Sequence, residues 1–161
     1  MKQLLIVWHS RTGASQALAE AAAEGARAEA EVVVRRAAEA SADDLLSADG
    51  YLFAGPENLA ALSGEMKEFF DRTYYAVLER LNGRPYGCVI AAGSDGRNAA
   101  RQLARIATGW RLKAVAEPLI VCTHAQTAEA IAAPKMLKPA DLSAARDLGQ
   151  GLAAGLAMGV F

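Results

Sequence analysis

Cysteine is nearly absent from this 161-residue sequence, which holds only Cys88 and Cys122. Each sits inside an apolar, strand-like run, so both read as core fillers rather than as a disulfide. Long apolar runs are missing as well. No stretch approaches the roughly 20 residues that span a bilayer. Met1-Lys2-Gln3 and five apolar residues after it make too short a start for a signal peptide, and no small-residue cleavage site follows. A cytoplasmic, reduced protein with no membrane partner is the expectation. Charge of one sign is lacking too: 17 Lys and Arg stand against 18 Asp and Glu, a net charge of −1. That balance gives no whole-molecule attraction for nucleic acid or an anionic membrane, and none of the acidity of a carrier that docks basic partners. Two histidines and two buried cysteines supply no metal set. Neither a Walker Gly-x-x-x-x-Gly-Lys nor a Gly-x-Gly-x-x-Gly follows a strand, so no separate dinucleotide site of either kind is expected.

What is present is a globular composition, 53% hydrophobic and 22% charged, in a length suited to one domain over residues 1–161. Leu4 to Trp8 is a continuous apolar run, as in a parallel strand covered on both faces. The Ala- and Glu-rich stretch from Ser15 to about Arg27 reads as a helix, Glu31 to Arg36 as a second strand, and Asp43 to Leu46 as a helical turn. Tyr51 to Ala54 is a third strand, stopped by Gly55-Pro56. Met66, Phe69, Phe70, Tyr74, Val77 and Leu81 then fall at helical spacing. Tyr86 to Ala92 is a fourth strand and is followed by a helix to Thr108. Ala114 to Cys122 reads as a fifth strand, at an edge because of Pro118. Pro139 opens a last helix. This alternation specifies an α/β fold: a doubly wound, five-stranded parallel sheet, order 2-1-3-4-5, with helices on both faces. Ligands of such sheets lie outside the carboxyl ends of the strands, where the strand order reverses.

Three loops stand at those ends. Ser10-Arg11-Thr12-Gly13-Ala14-Ser15 runs from the first strand into a helix and offers three hydroxyls, a close-approach glycine, one cation and free helix-start amides. That set suits a phosphate dianion. The plainer alternative is a helix cap by Thr12 or Ser15. Gly55-Pro56-Glu57-Asn58-Leu59-Ala60 follows the third strand, and Gly93-Ser94-Asp95-Gly96 the fourth. Solvated tips and an Asp95 cap are the plainer readings there. Ser63 reads as an N-cap, Trp8 as packing, and His9 as either packing or a hydrogen-bond donor to the pocket. His124 carries no assigned role.

Ser-x-Thr-Gly-x-Ser after the first strand resembles the phosphate loop of flavodoxins and of FMN-dependent NAD(P)H oxidoreductases. The second loop, continuing through Ser63-Gly64-Glu65-Met66-Lys67 to Phe69-Phe70-Asp71-Arg72, resembles their flavin-ring loop and the helix after it. The resemblance covers nearly the whole chain and implies a flavodoxin-like fold with FMN as cofactor. It places the phosphate at Ser10, Arg11, Thr12, Gly13, Ala14 and Ser15. The ring goes against the main chain of Pro56, Glu57, Asn58 and Leu59 and the loop of Gly93, Ser94, Asp95 and Gly96. No side-chain acid or base is implied, because flavin N5 is the reactive centre.

One departure bears on activity. Carriers of this kind commonly sandwich the ring with an aromatic from the second or third loop, and neither loop here contains one. An open ring face suits hydride exchange with NAD(P)H and passage to a small acceptor such as a quinone or free flavin. The alternatives are an electron carrier serving a redox protein, a scaffold that binds FMN weakly, and a hydrolase with Ser94 as nucleophile, since Gly93-Ser94-Asp95-Gly96 is one residue from a nucleophile elbow. The aromatic helix face at Phe69, Phe70, Tyr74 and Tyr75 is wider than one sheet contact needs, which makes a homodimer a hypothesis.

Overall fold

A computed structural model describes all residues, Met1–Phe161. In chain order the elements are β1 (Gln3–Trp8), α1 (Ala14–Ala26), β2 (Glu31–Arg36), α2 (Ala42–Ser47), β3 (Gly50–Asn58), β4 (Ala61–Leu62) and α3 (Gly64–Val77). They continue with β5 (Pro85–Ala92), α4 (Arg97–Gly109), β6 (Lys113–Ala114), β7 (Leu119–Cys122), α5 (Ala128–Ala132) and α6 (Pro139–Met158). The sheet runs β2-β1-β3-β5, and β6 and β7 share the outer edge of β5. All of these pairs are parallel. This is the doubly wound α/β order expected from the sequence, with two differences.

The expected fifth strand is broken. Tyr86 pairs with Ala114 and Val89 with Leu119, so two residues of β5 face four of the edge, Val115 to Pro118. Pro118 has no N–H to give the ladder, and the surplus residues loop out. The second difference is β4, which folds back on the end of β3 as a short antiparallel hairpin, with Glu57 opposite Leu62 and Asn58 opposite Ala61.

Side-chain alternation gives the sheet two unlike faces. Leu5, Val7, Tyr51, Phe53, Cys88 and Ile90 point to one side, under α2, α3 and α4. Phe53 is the hub there, with Phe70 at 5.1 Å and Trp110 at 6.5 Å between ring centroids. Phe69 and Phe70 are both buried in this core. The wide aromatic face of α3 is therefore largely spent within the chain, and only Tyr75 stands well out, 82% exposed. Burial pushes the Cys88 thiol up to about 12, so it stays protonated and unreactive.

The other face, from Leu4, Ile6, Leu52, Ala54 and Val89, is covered by α1 and α6, whose contacts are mostly alanine and glycine. Small residues let the two helices meet backbone to backbone: a Cβ on Gly149 would sit 2.0 Å from the Ala22 carbonyl oxygen. Gly→Ala inside a helix ordinarily adds about 0.5–1 kcal/mol of stability. At Gly149 the clash reverses that sign, and Gly149→Ala is expected to cost about 1–3 kcal/mol. Gly151→Ala, on the open side of the same helix, should gain about 0.5–1 kcal/mol. Urea denaturation of the two variants checks the opposed signs; equal shifts would refute the close seam.

Candidate cofactor-binding site

The carboxyl ends of β1, β3, β5 and β7 open into one cleft of about 300 Å³, the low end of the size range of small-molecule sites. Its floor is the turn from β1 into α1. Gly13 is the helix N-cap and takes the left-handed conformation, φ 99°, that a side chain would resist. No side chain caps this helix, so neither Thr12 nor Ser15 plays the capping part open to it from sequence. The first backbone bond of the helix runs from Ala17 N to Gly13 O at 3.0 Å; the amides of Ala14, Ser15 and Gln16 donate to no carbonyl. Ser10 Oγ accepts from Gly13 N at 3.0 Å and closes the turn. Ser15 Oγ is buried with no hydrogen-bond partner, a state costing about 1–3 kcal/mol where nothing satisfies it. An unpaired buried hydroxyl, three free amides and the positive end of a 13-residue helix together form an anion cradle.

The β3–β4 hairpin makes one wall. Its two turn residues, Leu59 and Ala60, are both left-handed, φ 50° and 61°, where Asn-Gly is the usual choice and each non-glycine residue costs about 1–2 kcal/mol. Neighbouring α4 holds the hairpin in that shape: Asn98 Nδ2 donates to Ala60 O, and Leu62 N donates to Gln102 Oε1 at 2.7 Å. Glu57 is not a solvated tip. Its carboxylate accepts from Gly96 N at 2.9 Å and Ala99 N at 3.2 Å, and so caps α4. The cap expected of Asp95 is thus supplied from another loop; Asp95 pairs with Arg97 at 2.7 Å instead. Gly96 itself is left-handed, φ 85°, and a Cβ there would meet Ile120 at 2.7 Å.

His9 ties the first loop to the second. It is 7% exposed, with Nδ1 2.7 Å from Ser63 Oγ and Nε2 2.8 Å from Glu65 Oε2. A neutral ring satisfies both contacts, donating from Nε2 to Glu65 and accepting the Ser63 hydroxyl proton at Nδ1. Burial holds the His9 pKa below its ordinary 6.5; Glu65 opposes that shift and Arg11 and Arg36 reinforce it. Ser63, expected as an N-cap, makes no capping bond and serves His9 instead. It is 2% exposed, out of reach of any substrate.

The cleft gathers Ser10, Arg11, Thr12, Ala14, Ser15, Pro56, Glu57, Asn58 and Gly93 from the sequence-derived set. Gly13 shapes the cradle from beneath. Leu59, Ser94, Asp95 and Gly96 lie off the lining. Leu59 points fully into solvent, and Ser94 is exposed with no histidine partner, so the nucleophile arrangement is not formed. Sequence reading missed the last wall. After β7 the chain passes over the cradle through α5, and Thr123, Ala125, Ile131, Ala132 and Lys135 line the cleft. Lys135 N donates to Thr12 O at 2.8 Å, and its ammonium closes α5 on Ile131 O and Ala133 O. Thr127, whose hydroxyl accepts from Ala130 N at 3.1 Å, was the available signal for that short helix.

Fold and site define a flavodoxin-like protein with an uncapped helix start at the switch point of its sheet. More narrowly, the chain belongs to the NADPH-dependent FMN reductase family, whose model matches residues 27–127. Membership assigns FMN as the cofactor. The loop from Ser10 to Ser15 lies ahead of the matched span. The flavodoxin of Aquifex aeolicus (strain VF5) is 40% identical over 86 residues, covering 52% of this chain and 46% of its own. An NAD(P)H dehydrogenase (quinone) of Acidithiobacillus ferrooxidans is 35% identical over 95 residues, covering 45% and 48%. The chain thus spans about half the length of the curated relatives it matches. A flavodoxin structure from the domain Archaea superposes with a TM-score of 0.78 at 18% identity, over 96% of this chain and 98% of that one. At that identity it speaks for the fold alone.

A His9 pKa lowered on folding means the unfolded chain binds more protons below about pH 6.5, so stability rises with pH there and is lost as pH falls. Urea midpoints between about pH 5 and 7.5 should drop toward acid, and less steeply in His9→Gln. Identical slopes in the two proteins would remove His9 as the cause.

Proposed function

We infer that this chain is an FMN-dependent NAD(P)H oxidoreductase with a small-molecule acceptor of the quinone or free-flavin kind. The observation that carries the reading is the buried, unpartnered Ser15 hydroxyl among the free amides of Ala14 to Gln16, a donor set made for a phosphate monoester. Thr12 and Ser10 add hydroxyls, Arg11 adds the one cation of the loop, and Gly13 leaves room for close approach. Main chain at Pro56 to Asn58 and at Gly93 borders the place left for the ring. When bound, FMN supplies hydride acceptance at N5 and onward electron transfer. The chain positions the cofactor and keeps one side accessible, since no Phe, Tyr or Trp lines the cleft. The cross-links from His9 to α3 and from Glu57 to α4 hold the three loops in fixed relation before any ligand arrives.

Anaerobic addition of NADPH and NADH to the FMN-loaded protein is the direct test. Loss of the flavin's visible absorbance on a catalytic timescale, with recovery on adding menadione, is the expected result. A flavin that binds but ignores both nucleotides would favour the second reading, an electron carrier, which the likeness to the Aquifex flavodoxin supports.

Ser15 offers a sharper check. In the cofactor-free protein Ser15→Ala removes an unsatisfied polar group, so stability should hold or rise, by up to about 1–2 kcal/mol. FMN affinity should fall roughly tenfold, the worth of one charge-assisted hydrogen bond. Fluorescence titration of FMN beside urea unfolding reads both; parallel losses would mean that Ser15 is merely structural.

A further inference from the structure

The near-zero net charge hides an uneven distribution. Between Gly93 and Ala116 there are five cations, Arg97, Arg101, Arg105, Arg111 and Lys113, against one acid, Asp95. The rest of the chain therefore carries the excess of acid. Three of the five, Arg97, Arg101 and Arg105, stand at i, i+4 and i+8 of α4, opposite its buried residues Ala99, Leu103 and Ala107. They form a row about 12 Å long at 1.5 Å per residue. All three are exposed, and Arg101 and Arg105 make no ion pair or hydrogen bond. The row begins at the third cleft loop, where Arg97 meets Asp95.

Beside this row stands the tip of the β3–β4 hairpin. Leu59 there is fully exposed and left-handed, so the chain accepts both strain and a bare apolar side chain at one position. The same helix that carries the arginines holds the tip, through Asn98 and Gln102. An apolar point beside a row of exposed arginines, two of them unpaired, at the lip of a redox cleft, has the make-up of a protein-docking face.

We propose that the outer face of α4, with Leu59 at its edge, docks an acidic single-electron carrier protein that exchanges electrons with the flavin. The inference rests on FMN occupying the cleft and adds a macromolecular partner to the small-molecule chemistry above. A nucleotide is the lesser match: Arg101 and Arg105 project from a convex helix, and no arginine of the row lines the cleft. Electron balance is simple. Two reduced partners each give one electron, and two protons from solvent complete full reduction of one flavin.

The probe is an acidic plant-type [2Fe–2S] ferredoxin, reduced and freed of reductant, mixed in stopped flow with the FMN-loaded protein. Flavin bleaching should slow about tenfold between roughly 20 and 300 mM salt, as expected for steered encounter. Arg101→Glu with Arg105→Glu should slow it about tenfold at low salt, leaving dithionite reduction and the FMN spectrum unchanged. Titration with oxidised ferredoxin should shift the backbone amide resonances of α4 and of Leu59 in the wild type and not in the double variant, a readout independent of turnover. Leu59→Asn, whose side chain tolerates φ above zero, should raise stability while slowing ferredoxin oxidation. A double variant with an unchanged rate and a flat salt profile overturns the proposal. So does a double variant that raises the NADPH KM and spares ferredoxin, which would give the row to nucleotide phosphates. Failure to bind FMN at all shows in the spectrum and strikes the cofactor reading instead.

Discussion

The uncapped start of α1 is the constraint around which the molecule is arranged. A helix that starts just beyond a central strand buried from Leu4 to Val7 needs acceptors for its first amides. This chain withholds them, placing a glycine where a capping side chain belongs and leaving Ser15 Oγ buried and unpaired. Beyond the Ser10–Gly13 bond that closes it, such a turn is held in place by what surrounds it. Behind it α1 packs on α6 along an alanine and glycine seam, and in front the Lys135 amide bonds the Thr12 carbonyl. The unsatisfied groups are thereby kept aimed at one point instead of relaxing toward each other.

The two side chains that organise the rest of the cleft work between loops. His9 leaves β1 and reaches the start of α3; Glu57 leaves β3 and caps α4. Each uses a polar group to satisfy another element's orphan donors or hydroxyl, so a displacement of one loop breaks hydrogen bonds in the next. The aromatic cluster around Phe53 lies beneath, tying α3 and α4 to the same strand. With Phe69 and Phe70 consumed there, pairing of two copies through α3 would have to rely on Tyr74, Tyr75 and their polar neighbours.

The sheet order and most element positions were legible because parallel buried strands leave continuous apolar runs, as at Leu4 to Val7 and Cys88 to Ala92. Local signals also served where the partner was local: Pro139 does open α6, and acids do open α2, through a Ser41–Asp44 capping box. Reading failed where a residue's partner lay far along the chain. Nothing near Glu57 announces a cap 39 residues away, and nothing near Ser63 announces His9, 54 residues earlier. The break in the last strand follows from a count of facing residues that only the register reveals. The stretch after β7 has neither strand alternation nor a long helical period, and its place over the cleft comes from the topology alone.

That stretch carries a thermodynamic consequence. None of the residues from 124 to 138 is buried, so its order draws little from the hydrophobic core and belongs to the low-stability end of the molecule. One wall of the cleft is therefore a thin cover outside the core, whereas the floor at α1 is built from core residues. Displacing that strip would cost the sheet no strand pairing, and an occupant of the cleft would add contacts to a segment that has few of its own.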